Sequence, residues 1–252
     1  MKFNKEKFAK IFYPTFYFVF AIGVAISGCF IFQKYYYTNI YISGVSMNPT
    51  LLGHSLRCHY GIADTSNAAI DSLKRFDVII TYYSWNGDDS TLKVKRVWGF
   101  PGETLSLKYT LFDEDPENIY YGMQLKVNGK VVINSTANHE YTMTCDYPEG
   151  FNPTFNVYTF NTPSRSFSVN VDYPANRREF DITLGSDEYF VMGDNWWHSS
   201  DCYGNGPAQS LHALKRKDIQ GRVVRIEGTA RYSSEANGLV DKLVYKDPMY
   251  NF

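Results

Sequence analysis

The chain has 252 residues, of which 44% are hydrophobic and 20% charged, and its formal net charge is -1. A mean hydropathy of -0.33 excludes a polytopic membrane protein, and the aromatic-rich composition excludes a disordered chain. The near-zero net charge gives no electrostatic reason to expect nucleic-acid binding.

The N-terminal segment differs from the rest of the chain. Residues 1–10 contain four lysines and one glutamate, and the next 22 residues, 11–32, contain no charged side chain. As a helix, this run measures roughly 33 Å, about the thickness of a bilayer core. The preceding lysines predict a cytoplasmic N-terminus, and the tyrosines at 35–37 predict an aromatic belt at the interface. We therefore expect a cytoplasmic tip at 1–10, a single-pass anchor at 11–32 and the remaining chain on the outer face of the cell membrane.

Three alternatives to an uncleaved anchor are open. A buried core helix disagrees with the flanking lysines, and a cleavable secretory signal is shorter and ends at a small-residue site. The stretch Ile26–Cys29 resembles a bacterial lipobox, in which Cys29 is lipidated, although apolar residues continue to Phe32. Lipidation and a spanning helix both hold the chain at the membrane.

The four cysteines do not have the spacing of a disulfide framework. Cys29 lies in the predicted anchor, and the sequence leaves open whether any two of Cys58, Cys145 and Cys202 form a disulfide. His198 and Cys202 are two closely spaced soft ligands and do not form a zinc ligand set on their own, so we expect no structural metal site. We likewise expect no cofactor.

Beyond the anchor, the sequence is mostly typical of β-structure. Runs rich in β-branched and aromatic residues predict strands in Arg75–Tyr82, Leu92–Val97, Glu188–Met192 and, as a pair, Tyr158–Val171. Gln124–Ile133 predicts a hairpin whose type I′ turn is Asn128–Gly129. Ala68–Lys74 and Gln209–Lys217 are weak helix candidates. We predict a mainly β fold, with a main β domain at 33–107 and 186–252 and an inserted β subdomain at 108–185.

A serine follows the predicted anchor in an unusual turn. In Ser43–Leu51, Pro49 restricts Asn48 and forces the chain to turn after Ser46. A serine on such a turn can expose its hydroxyl and leave a backbone N–H free to bind an oxyanion.

Two further segments carry polar residues of the types that take part in catalysis or binding. In Leu92–Glu103, strand alternation places Lys93 and Lys95 on one face and Arg96 on the other. Gly193–Gly204 is a polar loop, which on its own is consistent with a cluster of Asx turns or with a carbohydrate-binding loop.

Together, and in this order, these segments resemble the type I signal peptidases, membrane-anchored serine proteases with a Ser/Lys dyad. The family pattern S-M-x-P-T appears as Ser46–Thr50, the G-D-[IV]-V box as Phe76–Ile79, and K-R-V-x-G-x-P-G-D as Lys95–Glu103. G-D-N-R-D-N-S-x-D-S appears in altered form from Gly193, and Asp218–Val223 is similar to the closing strand. The resemblance covers the anchor, about 41–107 and about 186–226.

The resemblance implies a signal-peptidase-like β-barrel or sheet fold and a role for each matching residue. Ser46 is the expected nucleophile, Lys95 the general base and Ser199 the residue that orients the lysine. Met47, Pro49, Arg96, Asp194 and Asp201 are expected to support the site, with Arg96 paired to Asp194. A lysine base needs its pKa lowered from about 10.4 by roughly 2 to 3 units, which burial can supply.

The loop departs from the family pattern. Trp196, Trp197 and His198 replace Arg-Asp-Asn, and Cys202 and Tyr203 replace Ser-Arg. Asp201 therefore lacks its usual arginine and has to stay solvated or find another donor. Gly44 stands where some relatives have a second oxyanion-binding serine or threonine, so the Ser46 N–H becomes the main donor.

The expected activity is endoproteolytic removal of signal peptides from exported preproteins with small residues at positions -1 and -3. Membrane lipid and the secretion translocon are the expected neighbours, and nucleic acid is not. Three alternatives exist: a histidine base, of which His198 is the one to test; a non-enzymatic domain that binds glycans through Trp196 and Trp197; and a Ser/Lys protease with one dedicated substrate.

Overall fold

The fold was analysed in a computed structural model, which describes residues 5–53, 57–82, 92–111, 121–135, 138–142, 154–161, 166–171, 178–196, 198–203, 211–233 and 235–249. The chain divides into two compact units, Met1–Thr38 and Asn39–Phe252. His54, Cys145, the turn at 162–165 and Trp197 lie outside the described residues.

The first unit is dominated by one long helix. Helix α1 spans Lys5–Tyr36. Within its portion Phe12–Tyr36, the most apolar 18-residue window has a mean hydropathy of 2.1, and none of this window is buried. Among the described residues, α1 alone is long and apolar enough to cross a membrane. The predicted N-terminal apolar helix is confirmed, and it continues through Tyr35 and Tyr36.

The rest of the described chain is mainly β, as predicted. Short strands succeed one another with one five-residue helix and two 3-10 turns between them. In chain order these elements are β1 Tyr37–Tyr41, the turn Val45–Met47, β2 Cys58–Asp64, α2 Asn67–Asp71, β3 Val78–Thr81, β4 Lys93–Gly99, β5 Thr104–Leu111, β6 Tyr121–Val127, β7 Lys130–Ser135, β8 Asn138–Thr142, β9 Thr154–Asn161, β10 Ser166–Val171, β11 Phe180–Thr183, β12 Glu188–Met192, β13 Leu214–Lys215, the turn Arg216–Asp218, β14 Ile219–Ser233 and β15 Gly238–Met249.

These strands form three sheets. The largest has the order β1-β2-β14-β3-β4-β12-β13, with β15 also paired to β14. The second has the order β11-β5-β6-β7, and the third β10-β9-β8. Strand β14 is 15 residues long and pairs with β2, β3 and β15, so it holds the largest sheet together.

Local sequence signals account for several elements. Asn128 and Gly129 both have positive φ, 49° and 78°, which is the type I′ geometry expected for the β6–β7 hairpin. Strand β12 has the predicted bounds. The helix expected over Gln209–Lys217 is wrong in its described part. Leu214–Lys215 pairs with β12 instead, because strand pairing outweighs a weak helical preference.

Two buried apolar clusters contain neighbours of the polar residues discussed below. One contains Met47, Leu51, Val78 and Ile80, and so fixes the turn that carries Ser46. The other includes the aromatic and aliphatic side chains that follow Lys95 on β4 and those around the loop after β12. The serine turn and the lysine strand are therefore both anchored by buried side chains.

Candidate active site

Ser46 lies in the middle of the 3-10 turn Val45–Met47. Met47 and Leu51 are fully buried and anchor the turn to the core. Asn195, from the loop after β12, holds the other side. Its backbone N–H donates to the Ser46 carbonyl and its side-chain amide donates to the Val45 carbonyl, each at 3.0 Å. Hydrogen bonds from Asn195 to two backbone carbonyls of the turn thus hold the serine in place.

The chain beyond Ser46 is tied to strand β10. The Asn48–Pro49 peptide is cis, and Pro49 forms an isolated antiparallel bridge with Val169. The Thr50 hydroxyl donates to the Ser168 carbonyl at 3.0 Å. The predicted supporting residue Pro49 therefore contacts a strand from the middle segment of the sequence.

Lys95 points its amine at this serine. On β4, Lys95 lies opposite Ile79 of β3 and is 3% exposed. Its Nζ donates to the Ser46 Oγ at 2.9 Å and to the Val94 carbonyl at 3.1 Å. Burial is the main cause that lowers the pKa of Lys95, from 10.5 to about 8. A substantial fraction of the amine is therefore neutral in mildly alkaline solution.

Ser199 lies beside the same turn. It is 3% exposed, and Gly193 lies between it and Ser46. A Cβ added to Gly193 would lie 2.2 Å from the Ser199 Oγ and 2.3 Å from the Ser46 carbonyl oxygen. Only glycine allows this close approach. The structure thus brings Ser199 to the serine turn, while its contact with Lys95 stays a prediction.

Arg96 and Asp194 form a buried ion pair behind the site. The guanidinium donates twice to the carboxylate, at 2.8 Å and 2.6 Å, and the two side chains are 1% and 0% exposed. A third bond goes to the Phe76 carbonyl at 2.8 Å, and the guanidinium lies 4.1 Å from the Phe167 ring centre. Such two-pronged geometry offsets the cost of desolvating both charges.

Asp201 is fully buried, and the cation that pairs with it is a residue outside the family motifs. Arg178 donates to both carboxylate oxygens, at 2.6 Å and 2.7 Å. Arg178 was not predicted from the sequence, although the tyrosine at position 203, where the family has arginine, indicated that a donor was needed elsewhere. The segment 108–185 contains three arginines, at 165, 177 and 178, so the sequence limits the candidate partners of Asp201 within this segment to three.

The residues proposed for other functions occupy different surroundings. Trp196 is 2% exposed and lies 5.8 Å from the Trp98 ring, so it offers no open face to a sugar. His198 is exposed. His59 is buried, accepts the Leu52 N–H at Nδ1 and contacts the Tyr245 hydroxyl through Nε2. Burial lowers its pKa to about 4, which fits a neutral structural imidazole.

The thiols and possible metal ligands give no second centre among the described residues. Cys29, Cys58 and Cys202 are free. Burial raises the pKa of Cys202, so its thiol stays protonated. No group of three or more His, Cys, Asp or Glu residues in the described part of the chain is arranged to hold a metal ion.

An apolar N-terminal helix followed by a mainly β fold, with a buried amine on a serine hydroxyl, indicates a peptidase class. The sequence profile of the family "Signal peptidase, peptidase S26" matches residues 15–226. The chain belongs to this peptidase family.

Individual relatives agree with the family match. Signal peptidase I of Streptococcus pneumoniae is 26% identical over 190 residues, which cover 74% of this chain and 80% of the relative. Signal peptidase I V of Bacillus subtilis is 26% identical over 181 residues, which cover 71% and 79%. The family match ends at residue 226, within β14, so β15 lies beyond it.

Proposed function

We propose that this chain is a signal peptidase that cuts signal peptides from exported preproteins, with Ser46 as nucleophile and Lys95 as general base. The observation that carries the proposal is the buried amine of Lys95, 2.9 Å from the Ser46 Oγ, with a pKa of about 8. A serine hydroxyl is a poor nucleophile until a base takes its proton, and a neutral lysine can do so.

The reaction proceeds through an acyl-enzyme. Ser46 attacks the scissile carbonyl while the neutral Lys95 accepts the hydroxyl proton, and the resulting ammonium returns this proton to the departing amine. Water, deprotonated by Lys95, then hydrolyses the ester. The N–H groups in the first turn of a helix have no intrahelical acceptor, so the Ser46 N–H is available for the oxyanion. Ser199 orients Lys95 in this proposal.

The substrate binds as an added strand along β4. Among the described residues, β12 pairs with β4 only from Arg96 to Gly99, so the edge from Lys93 to Lys95 is left without a strand on that side. Extended peptides bind such edges through backbone hydrogen bonds, and specificity comes from pockets for alternate side chains.

A cavity is lined in part by residues of β1, β3 and β4. Its volume is about 280 Å³, and its lining includes Ile40, Ser43, Ile80 and Val94. The mostly aliphatic walls suit small apolar side chains, which supports small residues at positions -1 and -3 of the preprotein. Charged side chains in these positions would lose hydration without gaining a partner.

The membrane arrangement completes the proposal. The exposed apolar portion of helix α1 anchors the enzyme in the cell membrane, and the lysines that precede this portion keep the N-terminus in the cytoplasm. The β-strands then lie on the outer face, where translocated preproteins emerge from the translocon. Protease treatment of intact protoplasts should digest the β-strands and leave a protected fragment containing α1. Full protection of the β-strands from the protease would contradict this orientation.

The activity test uses the full chain in detergent and preproteins that carry an A-x-A site. Ser46→Ala and Lys95→Ala should each abolish cleavage between pH 6 and 10, whereas Lys93→Ala, on the same strand, retains it. The wild-type rate should rise with a midpoint near pH 8. Cleavage that survives Ser46→Ala would sink the proposal, and cleavage of a single preprotein from a varied set would indicate a dedicated processing protease.

A further inference from the structure

The loop after β12 contains a second buried carboxylate, and its environment is unusual. Asp201 is completely buried. One carboxylate oxygen accepts the Gly193 N–H at 2.8 Å, and the other accepts the Tyr203 N–H at 3.1 Å. These bonds close the loop on itself, but a buried negative charge also needs a nearby cation.

Arg178 is that cation, and it does more than pair with the carboxylate. The residue lies just before β11 and is 3% exposed. One terminal nitrogen donates to Asp201, and the other donates to the carbonyls of Trp196 and Ser199, each at 3.1 Å. A single guanidinium therefore connects three points of the loop that carries the proposed lysine-orienting serine.

Tyr203 holds this arginine in place. Its ring centre lies 5.0 Å from the guanidinium carbon of Arg178, and its hydroxyl donates to the Glu179 carbonyl at 3.4 Å. Tyr203 is also the position at which the family pattern has arginine. The chain thus has an aromatic ring where the family places the cation, and it supplies the cation from a distant segment.

We propose that Arg178 is a positioning residue that sets the geometry of Ser199 and Lys95 by clamping the loop and neutralising Asp201. The inference rests on the proposed Ser/Lys function. It assigns to the middle segment of the chain a direct part in the site, in addition to the motif residues.

The charges around Lys95 give this clamp a measurable consequence. Asp201 and Asp194 favour the protonated amine, and Lys93 and Arg178 oppose it. Asp194 is already paired with Arg96. The neighbouring thiol of Cys202 is neutral, because burial raises its pKa. Removal of Arg178 leaves the charge of Asp201 uncompensated, so the pKa of Lys95 rises and less neutral amine exists at a given pH.

The test compares Arg178→Gln, Arg178→Lys and the matched control Arg75→Gln, whose guanidinium pairs with Glu103 instead. Rates are expressed per active site, so that loss of folded enzyme does not count. For Arg178→Gln, kcat should fall by about 100-fold, the scale expected when catalytic groups are misplaced. KM should stay near the wild-type value and the acid limb of the pH profile should move to higher pH. Arg178→Lys keeps the positive charge but loses the several donors of the guanidinium. For this variant kcat should fall, while the acid limb of the pH profile stays at the wild-type pH.

Two double variants separate positioning from folding. Arg178→Gln with Asp201→Asn removes both charges and should return the acid limb toward wild type. Arg178→Gln with Tyr203→Arg restores a cation from the family's position and should recover at least part of kcat. An unchanged limb and kcat in Arg178→Gln would overturn the inference. If Arg178→Gln does not fold, the other variants decide. The inference is then overturned if Arg178→Lys does not combine a lower kcat with an unchanged acid limb and if Arg178→Gln with Tyr203→Arg recovers no kcat. Retained cleavage in Ser46→Ala would instead refute the proposed function itself.

Discussion

The Nζ of Lys95 lies 2.9 Å from the Oγ of Ser46, although 49 positions separate the two residues in the chain. Each comes from a different supporting element: the lysine from a strand that pairs along β3, and the serine from a turn anchored by Met47 and Leu51. Because one support is a paired strand and the other is anchored by buried side chains, the two groups are in contact in the protein without a bound peptide.

Burial of Lys95 should destabilise the protein at neutral pH. Its pKa is about 8 in the folded chain and near 10.5 when exposed, so only the unfolded state holds the proton between these values. Stability therefore rises with pH across this window, by about 3 kcal/mol from this group, and the penalty is complete below pH 8. Lys95→Met should raise the free energy of unfolding at pH 7 and flatten this slope.

Denaturant unfolding in detergent between pH 7 and 10.5, followed by tryptophan fluorescence, measures the difference. Lys93→Met is the control, because Lys93 is only half-buried on the same strand. Parallel pH profiles for the wild type and Lys95→Met would contradict the prediction.

The buried pair of Arg96 and Asp194 should be much more sensitive to truncation than an exposed pair. Asp194→Ala leaves a buried guanidinium without its partner and should cost about 3 to 5 kcal/mol. The exposed pair of Lys108 and Asp181 has a similar distance of 2.6 Å, but its side chains are 50% and 63% exposed. Asp181→Ala should therefore cost no more than about 1 kcal/mol. Equal losses of stability, measured by thermal unfolding, would refute the assignment.

Gly193→Ala should damage the site without removing any polar group. The added Cβ would fall 2.2 Å from the Ser199 Oγ and 2.3 Å from the Ser46 carbonyl, so one of them has to move. We expect kcat to fall by about 100-fold, as for other small misplacements of catalytic groups. Gly44→Ala is the matched control, because nothing lies within 4 Å of a Cβ at that position. Wild-type kcat in Gly193→Ala would show that the close approach is not needed.

Gly44→Ser should improve oxyanion binding. Gly44 has φ -110° and ψ 155°, an extended conformation that any residue adopts, and the space for a side chain is open. A hydroxyl beside the Ser46 turn offers a second donor, and we expect kcat to rise by up to about 10-fold. Gly44→Ala carries the same Cβ without the hydroxyl. A serine variant no faster than the alanine variant would argue against a donor at this position.

The sequence was most informative where a local rule or a motif determines the structure. Asn128–Gly129 predicted its hairpin because a type I′ turn needs positive φ at two positions. The motif order predicted that Ser46 and Lys95 meet, and the two groups are in contact. Strand bounds such as those of β12 followed from residue composition alone.

The contact of Arg178 with Asp201 could not be predicted in the same way. Arg178 stands in a segment without motifs, and its burial depends on strands and loops that are far apart in the chain. The changed residue at Tyr203 signalled that the usual cation was missing, yet tertiary packing alone decides which arginine replaces it. The same holds for Asn195, whose contacts with the Ser46 turn join segments that are about 150 positions apart in the chain.

In the proposed mechanism Lys95 is an effective base only when it is desolvated, so proteolytic competence is acquired on folding. A newly made or unfolded chain carries the lysine with its ordinary pKa of 10.5, so the amine is protonated and cannot accept a proton. In that mechanism, completion of the fold is itself the activation step.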